Sequence, residues 1–138
     1  MKRVFLDTNV MIDIIDRRKP FCVPALQIMS LADRGIIQVC VSAMSYATAS
    51  FILGRYNKEV DIIIEFSKFM KITTTTPVDS MTVENSLKSD FSDFEDAMQY
   101  FSAQSQKVDY IVTRNKKDFA PATIPVFEPQ EFIEYLME

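Results

Sequence analysis

The nineteen residues 36–54, IIQVCVSAMSYATASFILG, carry no charged side chain, and their reading decides the fold. A run of this length stands at the lower limit for a membrane-spanning helix, which needs about 20 apolar residues. It contains, however, Gln38, Ser42, Ser45, Thr48 and Ser50, and no basic asymmetry flanks it. It also divides in two. IIQVCVS (36–42) is rich in β-branched residues, as a buried strand is, whereas SYATASFILGRY (45–56) is richer in Ala and Ser and has Gly54 near its end. The expectation is a buried strand feeding a helix, with Ser42 or Ser45 as N-cap, and no membrane span.

The same alternation continues on both sides. RVFL (3–6) is a short apolar run that stops at Asp7, as a buried parallel strand does where it emerges at a sheet's carboxyl edge. Val10, Ile14 and Ile15 then recur at helical spacing, with Thr8 or Asn9 placed as a cap. ALQIMSLADRG (25–35) reads as an amphipathic helix closed by Gly35. Further on, helices are expected over 60–70, 80–89 and 93–106, the last with Phe94, Ala97, Met98 and Phe101 on its apolar face. Strands are expected in KITTTTPV (71–78), VDYIVT (108–113) and IPVF (124–127), with RNKKDF (114–119) as a loop or short turn. EPQEFIEYLME (128–138) closes the chain as a helix with Pro129 in its first turn, where proline is tolerated. Strands alternating with helices imply an α/β fold: a parallel sheet covered on both faces. Right-handed crossovers send the carboxyl ends of the strands to one edge, where ligand sites in such sheets lie.

Composition narrows the chemistry. At 138 residues the chain is expected to form a single domain over 1–138. Two glycines are too few for a phosphate-cradling glycine loop. The absence of histidine removes Ser-His-Asp and Cys-His nucleophile pairs and His-based zinc sites together. Cys22 and Cys40 form no metal-type pair, so buried free thiols in a reducing compartment are expected. MKRVFLD reaches an acidic residue too early for a signal peptide, which makes the cytoplasm the expected location. A net charge of −4 gives no global basic footprint, so binding a polyanion would need local basic patches or bound cations.

Acidic residues from three separate segments point to the carboxyl edge. Asp7 ends the first strand, Asp118 follows the strand 108–113, and Asp93 and Asp96 lie one helical turn apart at the start of the helix that leads into it. Converging carboxylates are the ligands that Mg2+ or Mn2+ takes. Each residue also has a plain structural reading: Asp7 and Asp93 as helix caps, Asp118 as a turn residue. Two basic stretches lie nearby, Arg17, Arg18 and Lys19, and Arg114, Lys116 and Lys117. They suit a phosphate backbone, or they are solvated loops. A receiver-like phosphoacceptor also gathers aspartates at this edge, but it needs an Asp after a central strand that is missing here.

VFLDTNVMIDII (4–15), DFEDAMQYFSA (93–103), and DYIVTRNKKDF (109–119) followed by IPVFEPQEFI (124–133) resemble, in this order, the motifs of PIN-domain proteins. They are most similar to the small single-domain forms that include VapC-like toxins of toxin–antitoxin pairs. The resemblance implies a three-layer α/β/α Rossmann-like fold with a central parallel sheet of about five strands. It implies Mg2+- or Mn2+-dependent ribonuclease activity, hydrolysing RNA phosphodiesters, with an antitoxin partner and pairing as a homodimer. By position, Asp7, Asp96 and Asp118 match the family's acidic residues, with Thr8, Asn9, Thr113 and Asn115 in supporting places. The match departs at one point. Where the family usually has a Glu in the helix after the second strand, this chain has Thr48. Either Asp93 supplies the missing ligand, or the metal keeps waters there, or the site is degenerate and the domain is an RNA- or protein-binding module.

Overall fold

Five short stretches form the sheet: Arg3–Leu6 (β1), Gln38–Ser42 (β2), Thr73–Thr76 (β3), Tyr110–Val112 (β4) and Val126–Phe127 (β5). They pair in parallel in the order β3-β2-β1-β4-β5. This is a computed structural model describing residues 1–138. The helices are Thr8–Asp16 (α1), Cys22–Asp33 (α2), Ala43–Tyr56 (α3), Ile62–Lys71 (α4), Ser80–Leu87 (α5), Phe94–Ser105 (α6) and Pro129–Leu136 (α7), with a 3-10 turn over Lys116–Phe119.

Alternation along each strand builds the three layers, because successive side chains point to opposite faces. Val4, Leu6, Val39, Val41 and Val112 join the larger core, with Val10, Ile14, Ile28, Leu53, Phe69 and Phe132 from the helices. Phe5, Cys40 and Ile111 point the other way, onto Tyr100 and Ala103 of α6 and onto Phe119. The expected α/β/α fold with a five-stranded parallel sheet is the fold observed. No helix is long and apolar enough to cross a membrane. Both cysteines are free and buried, and burial pushes the Cys40 thiol up.

Several boundaries differ from expectation for local reasons. The second strand begins at Gln38 because residues 35 and 36 finish α2. Gly35, at φ +74°, donates its N–H to the Ala32 carbonyl, and Ile36 donates to Leu31 at 2.9 Å. This pair of bonds is a Schellman closure, which favours glycine at the left-handed position. Ile36 is left half-exposed. α2 starts at Cys22, with Pro24 accommodated in its first turn. Phe94, expected on the apolar face of α6, is 47% exposed. The buried positions of that helix are instead Ala97, Gln99, Tyr100, Ser102 and Ala103.

The strand order locates the site. From β1 the sheet grows through β2 to β3 on one side; β4 and β5 add to the other. The direction reverses beside β1, between it and β4, and ligands in open α/β sheets bind at the carboxyl ends of the strands at such a reversal.

Candidate active site

Asp7 stands at that reversal. It is the N-cap of α1, is 7% exposed, and sits in a ring of donors. One carboxylate oxygen accepts from the Thr8 N–H at 2.8 Å and from the Gln99 amide at 3.3 Å. The other accepts from the Thr113 hydroxyl at 2.8 Å and, weakly, from the Asn9 amide at 3.4 Å. The Asp7 N–H itself bonds Val112 of β4. Burial pushes the Asp7 carboxyl above its ordinary range, against the pull of the Thr113, Thr8 and Gln99 hydrogen bonds, and Asp118 adds a smaller upward push.

Asp96 lies in the first turn of α6, and Asp93 caps that helix by accepting the Asp96 N–H at 2.9 Å. The Asp96 carboxyl is raised from 3.8 to about 7, first by burial and then by the negative charges of Asp7, Asp93, Asp118 and Glu95. Four carboxylates thus act on one half-buried acid, and like charges in each other's field hold protons. Asp118, in the 3-10 turn after β4, contributes to the field at both Asp7 and Asp96.

Two residues of this site escaped the sequence reading. Gln99, 1% exposed, reaches across the sheet edge and ties it together. Its amide nitrogen lies 2.8 Å from the Ser45 hydroxyl and 2.9 Å from that of Thr8, in addition to Asp7, and its carbonyl accepts from Ser42. Thr8 and Ser45 also bond each other at 2.8 Å. Uncharged residues of β2, α1, α3 and α6 therefore fix the position of Asp7. The only sequence signal was the placing of Gln99 one helical turn after Asp96. Glu95 is the other. Thr48, expected from the resemblance to stand where the family usually has a Glu, points its hydroxyl toward the Glu95 carboxylate at 3.5 Å.

The basic residues divide. Arg17 bonds the Ile14 carbonyl, Arg18 pairs with Asp16 at 3.2 Å, and Lys116 pairs with Glu131 at 3.1 Å. Arg114 pairs with the buried Asp13 at 2.7 Å. Lys19 and Lys117 are exposed and make no ion pair. The Asn115 N–H bonds the Thr113 hydroxyl at 3.1 Å and so helps to orient it toward Asp7.

Whether the site fits a divalent cation follows from its donors. Carboxylate oxygens, with no thiolate or imidazole among them, are the chemistry that Mg2+ and Mn2+ take. The charge fits as well, since the raised Asp96 marks negative charge without a counter-ion. The spacing is open: no three of the acidic or cysteine side chains gather closely enough to form a ligating group as they stand. Asp7 and Asp93 have their oxygens turned to helix-capping N–H groups.

Comparison with known proteins agrees with this fold. The family model described as PIN domain matches residues 3–117. Ribonuclease VapC1 of Aquifex aeolicus is 26% identical over 96% of this chain and 94% of its own length. Among solved structures, a toxin–antitoxin complex from Klebsiella pneumoniae has a chain superposing with a TM-score of 0.66 at 22% identity, covering 91% of this chain and 97% of that one. DNA-bound VapBC from Salmonella typhimurium contains a chain with a TM-score of 0.70 at 16% identity, covering 94% and 99%.

Proposed function

Because this chain belongs to the PIN-domain family, we propose that it is a divalent-metal-dependent endoribonuclease, the toxin of a toxin–antitoxin pair. The observation that carries the reading is the acidic edge at the switch point, where the charges of Asp7, which follows β1, and of Asp118 both act on Asp96 of α6. Asp7, Asp96 and Asp118 would hold Mg2+ or Mn2+, which would supply an acidified water and a charge opposite to that of the phosphodiester. Asp7 is positioned before any ligand arrives, because Thr8, Thr113, Asn9 and Gln99 hold its carboxylate from four directions. Asp96, raised to about 7 by burial and by its acidic neighbours, would give up its proton when the cation binds, so metal affinity should rise with pH through that range. Lys19 and Lys117, exposed and without an ion pair, are free to meet phosphates. Its relatives, a ribonuclease and chains of toxin–antitoxin complexes, support both the RNA substrate and the antitoxin partner.

The groove between α3 and α4 offers that partner an apolar surface. Ile63 and Met70 are exposed along it, and the Tyr46 and Thr75 hydroxyls are buried there without a hydrogen bond. A bound peptide would cover Ile63 and Met70.

A second reading, a PIN domain that binds RNA or protein without cleaving, is favoured by two observations: Thr48 adds no carboxylate, and the acids do not gather as a ligating set. The two readings separate on labelled RNA with Mg2+ or Mn2+, comparing the wild type with Asp7→Asn and Asp96→Asn. The nuclease reading expects cleavage by the wild type and its loss in both variants. Cleavage surviving both substitutions would sink the carboxylate mechanism, and binding without cleavage by the wild type would establish the second reading.

A further inference from the structure

Beside the acidic edge is a cleft of about 430 Å³, within the roughly 300–1,000 Å³ of small-ligand sites. Three segments form it: Pro20, Phe21 and Pro24 at the start of α2, Arg114 after β4, and Glu128 to Gln130 at the start of α7. Phe21 is 42% exposed and belongs to neither hydrophobic cluster, so the core does not account for it. The Arg114 guanidinium carbon sits 4.0 Å from the centre of the Phe21 ring.

That guanidinium is held rigid from behind. It donates two hydrogen bonds to Asp13, at 2.7 and 3.3 Å, and Asp13 is 1% exposed. Its backbone N–H points to the Asn9 side chain at 3.4 Å, and its neighbour Thr113 donates to Asp7. One wall of the cleft is therefore a single residue away from the acid at the switch point.

The lining selects among the parts of a nucleic acid. A phosphate is poorly served, because the Arg114 charge is already balanced by Asp13 and Glu128 repels an anion. A flat ring is well served by the outer face of the Phe21–Arg114 stack and by the neighbouring proline rings, since unpaired bases stack on such surfaces. The rim is rich in acceptors. Gln130 gives its N–H to Glu134 at 3.2 Å, leaving its carbonyl oxygen, and Glu128 adds a carboxylate. A carboxylate matches neighbouring N–H donors, and guanine presents N1–H and N2–H side by side on its Watson–Crick edge, where adenine has one amino group.

We propose that this cleft binds one unpaired guanine of the RNA and thereby sets which phosphodiester lies over the acidic edge. The proposal rests on RNA being the substrate. Its test uses the full chain in EDTA, where no metal-acidified water is available to cleave, and fluorescently labelled 2′-O-methyl hexamers that are abasic except for one guanine or one adenine, with an all-abasic hexamer for backbone binding. By anisotropy, the wild type should bind the guanine hexamer about tenfold more tightly than the abasic one. Phe21→Ala should reduce that ratio to near one while melting close to the wild type, since the ring is outside the core. Glu128→Gln should retain stacking but bring guanine and adenine to within about twofold of each other. Equal wild-type affinity for all three hexamers, or undiminished guanine preference in Phe21→Ala, would overturn the proposal. Cleavage of long RNA is scored separately: a wild type that cleaves but shows no guanine preference removes the cleft alone, and one that neither binds nor cleaves removes both readings.

Discussion

Replacing Asp96 by Asn should stabilise the protein above neutral pH. In the folded chain Asp96 keeps its proton to about pH 7, against 3.8 for a free aspartate. Between these values the native state binds more protons than the unfolded chain, so stability is fully present below pH 4 and is lost as the pH rises through about 7. At 1.36 kcal/mol per unit the full difference is about 4 kcal/mol. Asp96 is half-exposed and screened by solvent, so about 1–2 kcal/mol should be registered. For a chain of this size that corresponds to about 3–8 °C. Asn keeps the shape without the charge, so Asp96→Asn should melt higher than the wild type by this amount at pH 8, with the difference vanishing near pH 4. Asp7 and Asp13, also raised by burial, lower stability in the same direction, but both proteins share them, and the difference curve isolates Asp96. Thermal melts in EDTA from pH 4 to 8.5 measure it. A difference that does not change with pH, or a variant melting below the wild type at pH 8, would refute the like-charge field at this edge.

Adding saturating Mn2+ at pH 8 should raise the wild-type melting temperature, about 2.7 kcal/mol at one hundred times the dissociation constant, and should do little for Asp7→Asn. Gln99→Ala removes a buried amide that four side chains use; urea unfolding should show a loss of about 2–4 kcal/mol, from unsatisfied polar groups and the space left behind. Arg114→Ala leaves Asp13 buried and unpaired, so it should cost about 3–5 kcal/mol, with Asp13→Asn on the same background restoring part of it in a double-mutant cycle. Thr48→Glu sets a second carboxylate opposite Glu95; metal titration should show Mn2+ binding tightened at least tenfold, and an unchanged affinity would remove Thr48 from the account of the site. Ile63→Glu should abolish association with a co-expressed antitoxin without altering the fold, as read by co-purification and circular dichroism.

The elements were legible because their signals are local. Gly35 after a helical run announced the closure of α2, and Ser42 announced the start of α3, where it accepts the Ser45 N–H. The alternation of Val4, Phe5 and Leu6 required a sheet covered on both faces. Phe94 was misread for an equally local reason: helical periodicity gives a stripe but not where along the helix the sheet beneath it stops.

The site was legible only in part. One strand ending in Asp7 and one helix opening with Asp93 and Asp96 could be read as acids at one edge. Their capping roles could be read too, because caps are decided within three residues. Contacts between distant segments could not. Arg114 and Asp13 are 101 positions apart, Gln99 and Asp7 are 92 apart, and Thr48 and Glu95 are 47 apart. Nothing in the pattern near Arg114 says that its charge is taken by a buried acid rather than offered to RNA.

The sequence by itself determined the alternation of strands and helices, their caps and the set of acids available, since these depend on periodicity and on hydrogen bonds a few residues long. Only the tertiary structure decided that β1 lies between β2 and β4 and that Gln99 closes over Asp7. It also decided that Asp96 shares its field with Asp7 and Asp118, and that Phe21 meets Arg114 beside the acidic edge. Parallel strands are joined through crossovers rather than tight turns, so their neighbours, and the charges those neighbours bring together, are set by packing across the whole domain.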